Sequence, residues 1–177
     1  MKLTRRGFLK TGGALAATGT LGACAGMSAK PGPRVVVVGG GFAGATCAKY
    51  IRNWSNNSIA VTLVERNEKF ISCPLSNLVL GGSKELSDLT VGYENLTSRH
   101  GVTRLRDEAV AIDAQKRTVK LASGVELGYD RLVVAPGVDF MYDGIPGLNN
   151  AAGQARVLHA WKAGEQTVAL RRQLEDM

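Results

Sequence analysis

Cysteine is scarce in this chain of 177 residues: there are three, Cys24, Cys47 and Cys73. No two stand at the C-x-x-C spacing of a dithiol redox motif, and no C-x-x-C-H is present to attach a haem. No cysteine and histidine cluster has zinc-ligand spacing. The two histidines stand alone: His100 reads as exposed at a helix end before Gly101, and His159 as lying near the start of the last helix, both in ordinary satisfied or solvated roles. Aromatic residues make up only 6% of the chain, and Tyr50, Trp54 and Tyr142 read as core or packing aromatics. A basic patch is lacking as well. The formal charge of +7 includes Lys2, Arg5, Arg6 and Lys10 of a leader segment; without those four of the 22 bases, 18 remain against 15 acids. They are scattered, which excludes nucleic acid as a partner.

The leader itself is well marked. Thr4-Arg5-Arg6-Gly7-Phe8-Leu9-Lys10 has the form of a twin-arginine export signal, followed by a weakly apolar run and then small residues. That run is too short and glycine-rich for a membrane span. Residues 1–29 therefore form a signal peptide and the product is periplasmic. Ala23-Cys24-Ala25 suits ordinary cleavage before Gly26, giving a soluble product. Leu21-Gly22-Ala23-Cys24 also resembles a lipobox, and lipidation at Cys24 would be the one route to a membrane. The twin-arginine route carries folded proteins, so a cofactor can be inserted before export. The remaining 148 or so residues suffice for one modest domain.

What the chain does have is concentrated in residues 34–50. Four valines, 35–38, read as a buried parallel strand, and a helix begins near Phe42. Between them Gly39, Gly41 and Gly44 fill the glycine places of G-x-G-x-x-G: the first for the tight turn, the second for close approach of a pyrophosphate, the third for helix–strand packing. The N–H groups at the helix start, Phe42 and Ala43 among them, face the phosphates along with the positive end of the helix dipole. Such turns also arise for steric reasons alone. Here, however, a second strand, residues 59–64, ends at Glu65, followed by Arg66, where an acid would meet a ribose hydroxyl. Strand, turn, helix, strand and acid in this order predict a dinucleotide site, and Glu65 disfavours a ribose 2′-phosphate.

Further on, Pro74 suits the first position of a helix closed by Gly81-Gly82, which places Cys73 at an N-cap where the dipole favours thiolate. A small space-filling cysteine is the equal alternative. Residues 86–89 and 93–99 read as short helical or irregular pieces. A short strand at 102–105 is followed by strand-like runs at 109–113, 118–121 and 125–127, the series reading as an antiparallel meander. A final apolar strand runs from Tyr129 into Ala135-Pro136-Gly137. A loop extends to about Leu158, and 160–176 is helical, with Trp161, Val168 and Leu174 as candidate packing positions.

This order of elements, with "YDRLVVAPG" closing it, resembles the two-dinucleotide-binding-domain flavoproteins, whose "ATG" turn the Ala135-Pro136-Gly137 segment matches. Within them the segments "VVVVGGGFAGATCAKYI", "VTLVERNEKFISCPLSNLVLGG", "GYDRLVVAPGVDFMYDGI" and "HAWKAGEQTVALRRQLEDM" resemble the flavoprotein subunits of flavocytochrome c sulfide dehydrogenases. The resemblance implies an α/β, Rossmann-like FAD-binding domain with a parallel sheet and an antiparallel meander, over residues 30–150. It is incomplete relative to the full fold, with 151–177 as a linker helix towards a second nucleotide-binding domain. It implies sulfide oxidation, with FAD and a redox-active disulfide passing electrons to a c-type cytochrome subunit. Gly39, Gly41, Phe42, Ala43 and Gly44 would hold the pyrophosphate, Glu65 and Arg66 the adenosine side, and Ala135, Pro136 and Gly137 the turn beside the cofactor. Cys73 falls where the family joins FAD through a thioether. The catalytic disulfide is expected beyond Met177, since Cys47 lies inside the first helix. Two alternatives accompany this expectation. One is a relative of the NADH oxidase and coenzyme A disulfide reductase flavoproteins with a redox-active Cys73. The other is an exported FAD-binding remnant without catalysis.

Overall fold

A strand made of four valines has no polar face, so it must be covered on both sides, as central parallel strands are. The computed structural model, which describes residues 32–177, places β1 (Arg34–Val38) in this position. It pairs in parallel with β2 (Ala60–Val64) on one side and β9 (Arg131–Val134) on the other. β5 (Thr103–Leu105) extends the sheet beyond β2, giving the order β5-β2-β1-β9. The helix α1 (Phe42–Trp54) makes the β1–β2 crossover. Pro33–Met177 forms one compact unit.

Side-chain alternation along β1 divides the core. Val35 and Val37 face one side with Val61, Leu63, Ala48 of α1, Tyr93 and Val102. Val36 faces the other with Val64, Val119, Leu121 and Tyr129. Each fully buried valine contributes about 1.5–3 kcal/mol relative to exposure. The second face is roofed by a three-stranded antiparallel sheet of β6 (Ala109–Asp113), β7 (Thr118–Leu121) and β8 (Glu126–Gly128). A smaller cluster of Val79, Leu89 and Ala163, with Ile71 and Val168 against it, joins the remaining elements. These are the ribbon of β3 (Phe70–Ile71) and β4 (Thr90–Val91), α2 (Ser76–Leu80), the 3₁₀ turn Leu86–Leu89 and α5 (Glu165–Glu175). The helix α3 (Glu94–His100) closes on Gly101, whose φ of 61° supplies the left-handed cap.

Several expectations are corrected. The strand at 102–105 joins the parallel sheet, so the meander consists of the three runs after it. α2 begins at Ser76 with Leu75 at its N-cap, leaving Cys73 and Pro74 outside the helix. Pro74 instead occupies a turn in which Ser76 N–H donates to the Cys73 carbonyl at 3.0 Å, a position equally suited to its fixed φ. Tyr50 and Trp54 are not core: they stack on one another at the surface, with Trp54 82% exposed. Tyr142 does pack, against Phe140 and His159. The last helix starts at Glu165, five residues later than expected, so His159 precedes it in a loop and Trp161 and Leu174 are exposed. The expected loop also holds a short helix, α4 (Ala151–Arg156), whose N-cap Asn150 accepts from Gly153 N–H at 2.8 Å. The signal segment and Cys24 lie outside the described residues.

Candidate functional site

The three motif glycines do three different things. Gly39 has φ of 94°, and a Cβ there would overlap the Ala135 carbonyl oxygen. Gly44 would drive a Cβ into the Gly39 carbonyl oxygen and against Val37, so its bareness lets α1 lie close to β1. Gly41 is different: a Cβ there would meet only the Phe70 ring, at 3.5 Å. The space over Gly41 is open to a ligand. α1 starts at this point with Gly41 as its N-cap, no capping side chain and no acid in the first turn. Phe42 and Ala43 are exposed. The first-turn N–H groups and the positive helix end are thus left for an anion.

The turn is pinned from both sides. Gly39 N–H donates to the Val64 carbonyl at 2.9 Å, and Ala135 N–H donates to the Val38 carbonyl at 2.8 Å. The β1–β9 register therefore brings Ala135 beside the glycine turn, with the exposed Pro136 and Gly137 following. Glu65, at the end of β2, accepts from Gly40 N–H on Oε2 at 2.7 Å and from Asn67 N–H and Nδ2 on Oε1, each at 2.7 Å. Three donors leave about one of the four carboxylate lone-pair sites for a hydroxyl. Arg66 turns away, pairing with Glu108 at 3.4 Å on the surface.

Cys73 follows β3 by two residues and is half-buried. Phe70 of that strand packs edge-on against Phe42 at 5.0 Å between centroids and approaches Gly41. Three residues reach about 10 Å at most, so Cys73 lies no further than that from Phe70. Cys47 lies in α1, as its position in the chain led one to expect. His100 ends α3, its Nδ1 2.9 Å from Asn53 Oδ1. Among the described residues no group of three or more His, Cys, Asp or Glu side chains could hold a metal ion.

One participant is not evident from local pattern. Tyr93, 3% exposed, sends its hydroxyl to the Gly40 carbonyl at 3.1 Å. The Arg104 guanidinium lies over its ring at 4.6 Å from the centroid and donates to the carbonyls of Asn67 and Glu68 at 2.7 and 3.0 Å. Since Asn67 holds Glu65 and Glu65 holds Gly40, the five residues Gly40, Glu65, Asn67, Arg104 and Tyr93 close a ring of contacts under the glycine turn. Burial pushes the Tyr93 phenol up to about 12, with the Glu65 charge adding to the rise and Arg104 opposing it. The hydroxyl is therefore a standing donor at ordinary pH. The bulk of Tyr93, set between Gly92 and Glu94, is the one local signal of its burial.

Comparison with known proteins agrees with this geometry. Residues 33–174 match the family of pyridine nucleotide-disulphide oxidoreductases. The chain belongs to that family. Residues 2–22 match the signal sequence of the twin-arginine translocation pathway, which marks this oxidoreductase for export to the periplasm. The chain is 61% identical over 46 residues to the flavoprotein chain of sulfide dehydrogenase (flavocytochrome c) from Chlorobaculum thiosulfatiphilum, covering 26% of this chain and 94% of that sequence. It is 32% identical over 127 residues to the mitochondrial sulfide:quinone oxidoreductase of Mus musculus, covering 72% of this chain and 27% of that protein. The crystal structure of sulfide:quinone oxidoreductase from Aquifex aeolicus superposes with a TM-score of 0.69 at 26% identity, over 81% of this chain and 32% of that one. The chain thus spans about a quarter of the length of the mitochondrial relatives it matches. A pyridine nucleotide-disulphide oxidoreductase with a flavoprotein relative implies FAD. The residues fit that cofactor: an open face at Gly41, an uncapped helix start and a carboxylate with acceptor capacity lie on one rim.

Proposed function

We propose that this chain supplies the diphosphate and adenosine side of the FAD site in an exported flavoprotein that oxidises sulfide and passes electrons to a c-type cytochrome. The observation that carries the cofactor assignment is Gly41, open above an uncapped helix beside the Glu65 carboxylate. Sulfide as donor is supported by the names of the relatives, and the cytochrome as acceptor by the flavocytochrome c relative. FAD, when bound, supplies a two-electron acceptor that can release electrons singly.

The chain's own residues bind and orient. N–H groups of Gly41, Phe42 and Ala43 would hold the diphosphate, and Glu65 a ribose hydroxyl. Ala135, Pro136 and Gly137 would border the cofactor where β9 ends. Cys73 would hold FAD covalently through a thioether at the 8α-methyl carbon. The thiol hydrogen and one methyl hydrogen would leave as protons, the two electrons passing to the flavin ring and on to its electron acceptor. The bond would retain the cofactor in a compartment where lost flavin is not easily replaced. Residues 151–177 would lead towards a second nucleotide-binding domain of the complete protein, and the redox disulfide would lie beyond Met177.

A second reading is favoured by 32% identity over 114 residues to the coenzyme A disulfide reductase of Staphylococcus aureus. In it Cys73 is itself redox-active and the electron donor is a nicotinamide nucleotide. Steady-state assays of the complete protein decide between them. Sulfide-dependent reduction of a c-type cytochrome is expected; NADH-dependent turnover without sulfide would favour the second reading.

A further inference from the structure

Two successive peptides of the turn are held, the Gly39–Gly40 peptide at its N–H and the Gly40–Gly41 peptide at its carbonyl. That carbonyl accepts from Tyr93 Oη at 3.1 Å, while the Gly40 N–H just before it donates to Glu65 at 2.7 Å. A trans peptide is planar, so its C=O and N–H point in opposite directions. A carbonyl fixed on buried Tyr93 therefore turns the Gly41 N–H the other way, out of the core. Among the described residues that N–H donates to nothing. Gly41 itself is uncrowded, a Cβ there meeting only the Phe70 ring at 3.5 Å.

We propose that Tyr93 is a positioning residue that aims the Gly41 N–H at the cofactor diphosphate. The proposal rests on the FAD reading given above. Tyr93 touches no cofactor atom; it acts through the peptide. Its ring also packs directly on Gly40, since a Cβ there would stand only 2.6 Å from the hydroxyl oxygen and 2.8 Å from two ring carbons, so the contact requires a glycine at this position. Arg104 holds the ring from its other neighbours, tied to the same Asn67–Glu68 segment that orients Glu65. Diphosphate and ribose recognition thus share one support but use separate bonds: the Tyr93 hydroxyl serves the first, Asn67 the second.

That separation gives the test. In the complete protein, with Cys73→Ser in the background to keep binding reversible, FAD affinity is measured by flavin fluorescence. ADP and adenosine are compared as competitors. Tyr93→Phe keeps the ring and removes the donor. It is expected to weaken FAD and ADP by about three- to tenfold, one lost hydrogen bond, while adenosine competes as before. Gly40→Ala reaches the same contact from the turn side, displaces the ring and is expected to show the same selectivity. Equal losses for ADP and adenosine, or no loss, in Tyr93→Phe measured well below its melting temperature would overturn the positioning role. Failure of the parent protein to bind ADP or FAD at all would instead overturn the cofactor reading on which it stands.

Discussion

The carboxylate of Glu65 accepts the N–H of Gly40 at 2.7 Å across 25 residues of sequence, so the acid at the tip of β2 is also a strut of the glycine turn. Loss of Glu65 should therefore harm cofactor binding twice. Glu65→Ala is expected to lower FAD affinity about 10- to 100-fold, the range for hydrogen bonds to a charged group. Glu65→Gln, which keeps an acceptor, should lose less. Fluorescence titration of the complete protein with FAD measures both, and equal affinity in parent and Glu65→Ala would remove Glu65 from the site.

The glycines should separate folding from binding. Gly44→Ala pushes a methyl group into the Gly39 carbonyl, and overpacking of this kind costs about 1–3 kcal/mol. Gly41→Val meets little of the protein but fills the open face. Urea denaturation should therefore show the larger loss for Gly44→Ala and a smaller one, that of a poorer helix cap, for Gly41→Val, whereas FAD binding should fail in Gly41→Val. A Gly41→Val protein that retains full flavin content would contradict the assignment of that face.

Tyr93 gives a pH prediction with a definite sign. The phenol ionises near 10 in an unfolded chain and at about 12 in the fold, where burial and Glu65 oppose the charge. Its stabilising contribution is complete below pH 10 and is lost as pH rises towards 12, because the unfolded state ionises first. Denaturation midpoints through this window should fall more steeply for the parent than for Tyr93→Phe. Parallel curves would mean that Tyr93 ionises as freely in the fold as outside it.

The sheet and the glycine turn were readable because their signals are local: consecutive valines, three spaced glycines and an acid at a strand end. Pro74 suits a turn as well as a first helical position, which is why the local pattern at Cys73 does not distinguish a helix cap from the turn the fold adopts. The helix Glu165–Glu175 starts later than the pattern suggests, since Trp161 and Ala163 suit a helix although its N-cap, Gly164, comes after them. Tyr50 and Trp54 resembled core residues by size alone. Tyr93 and Arg104 were missed for a different reason. Their roles depend on contacts across 53 and 37 residues, and nothing beside them in the chain announces such partners.

Cys73 is open to direct chemical test. Acid precipitation of the complete protein, proteolysis and peptide mapping should yield a flavin-bearing peptide that contains Cys73. Cys73→Ser should release its flavin on denaturation yet still bind it reversibly through the glycine turn. Flavin found wholly in the supernatant of the parent protein, with Cys73 recovered as a free thiol, would exclude the thioether.

Anaerobic titration of the complete, FAD-loaded protein with sulfide, following the visible absorbance of the flavin, tests the proposed function most directly. Stoichiometric bleaching by sulfide, absent with NADH and reversed by adding an oxidised c-type cytochrome, is the expected result. Bleaching by NADH with none by sulfide would contradict it.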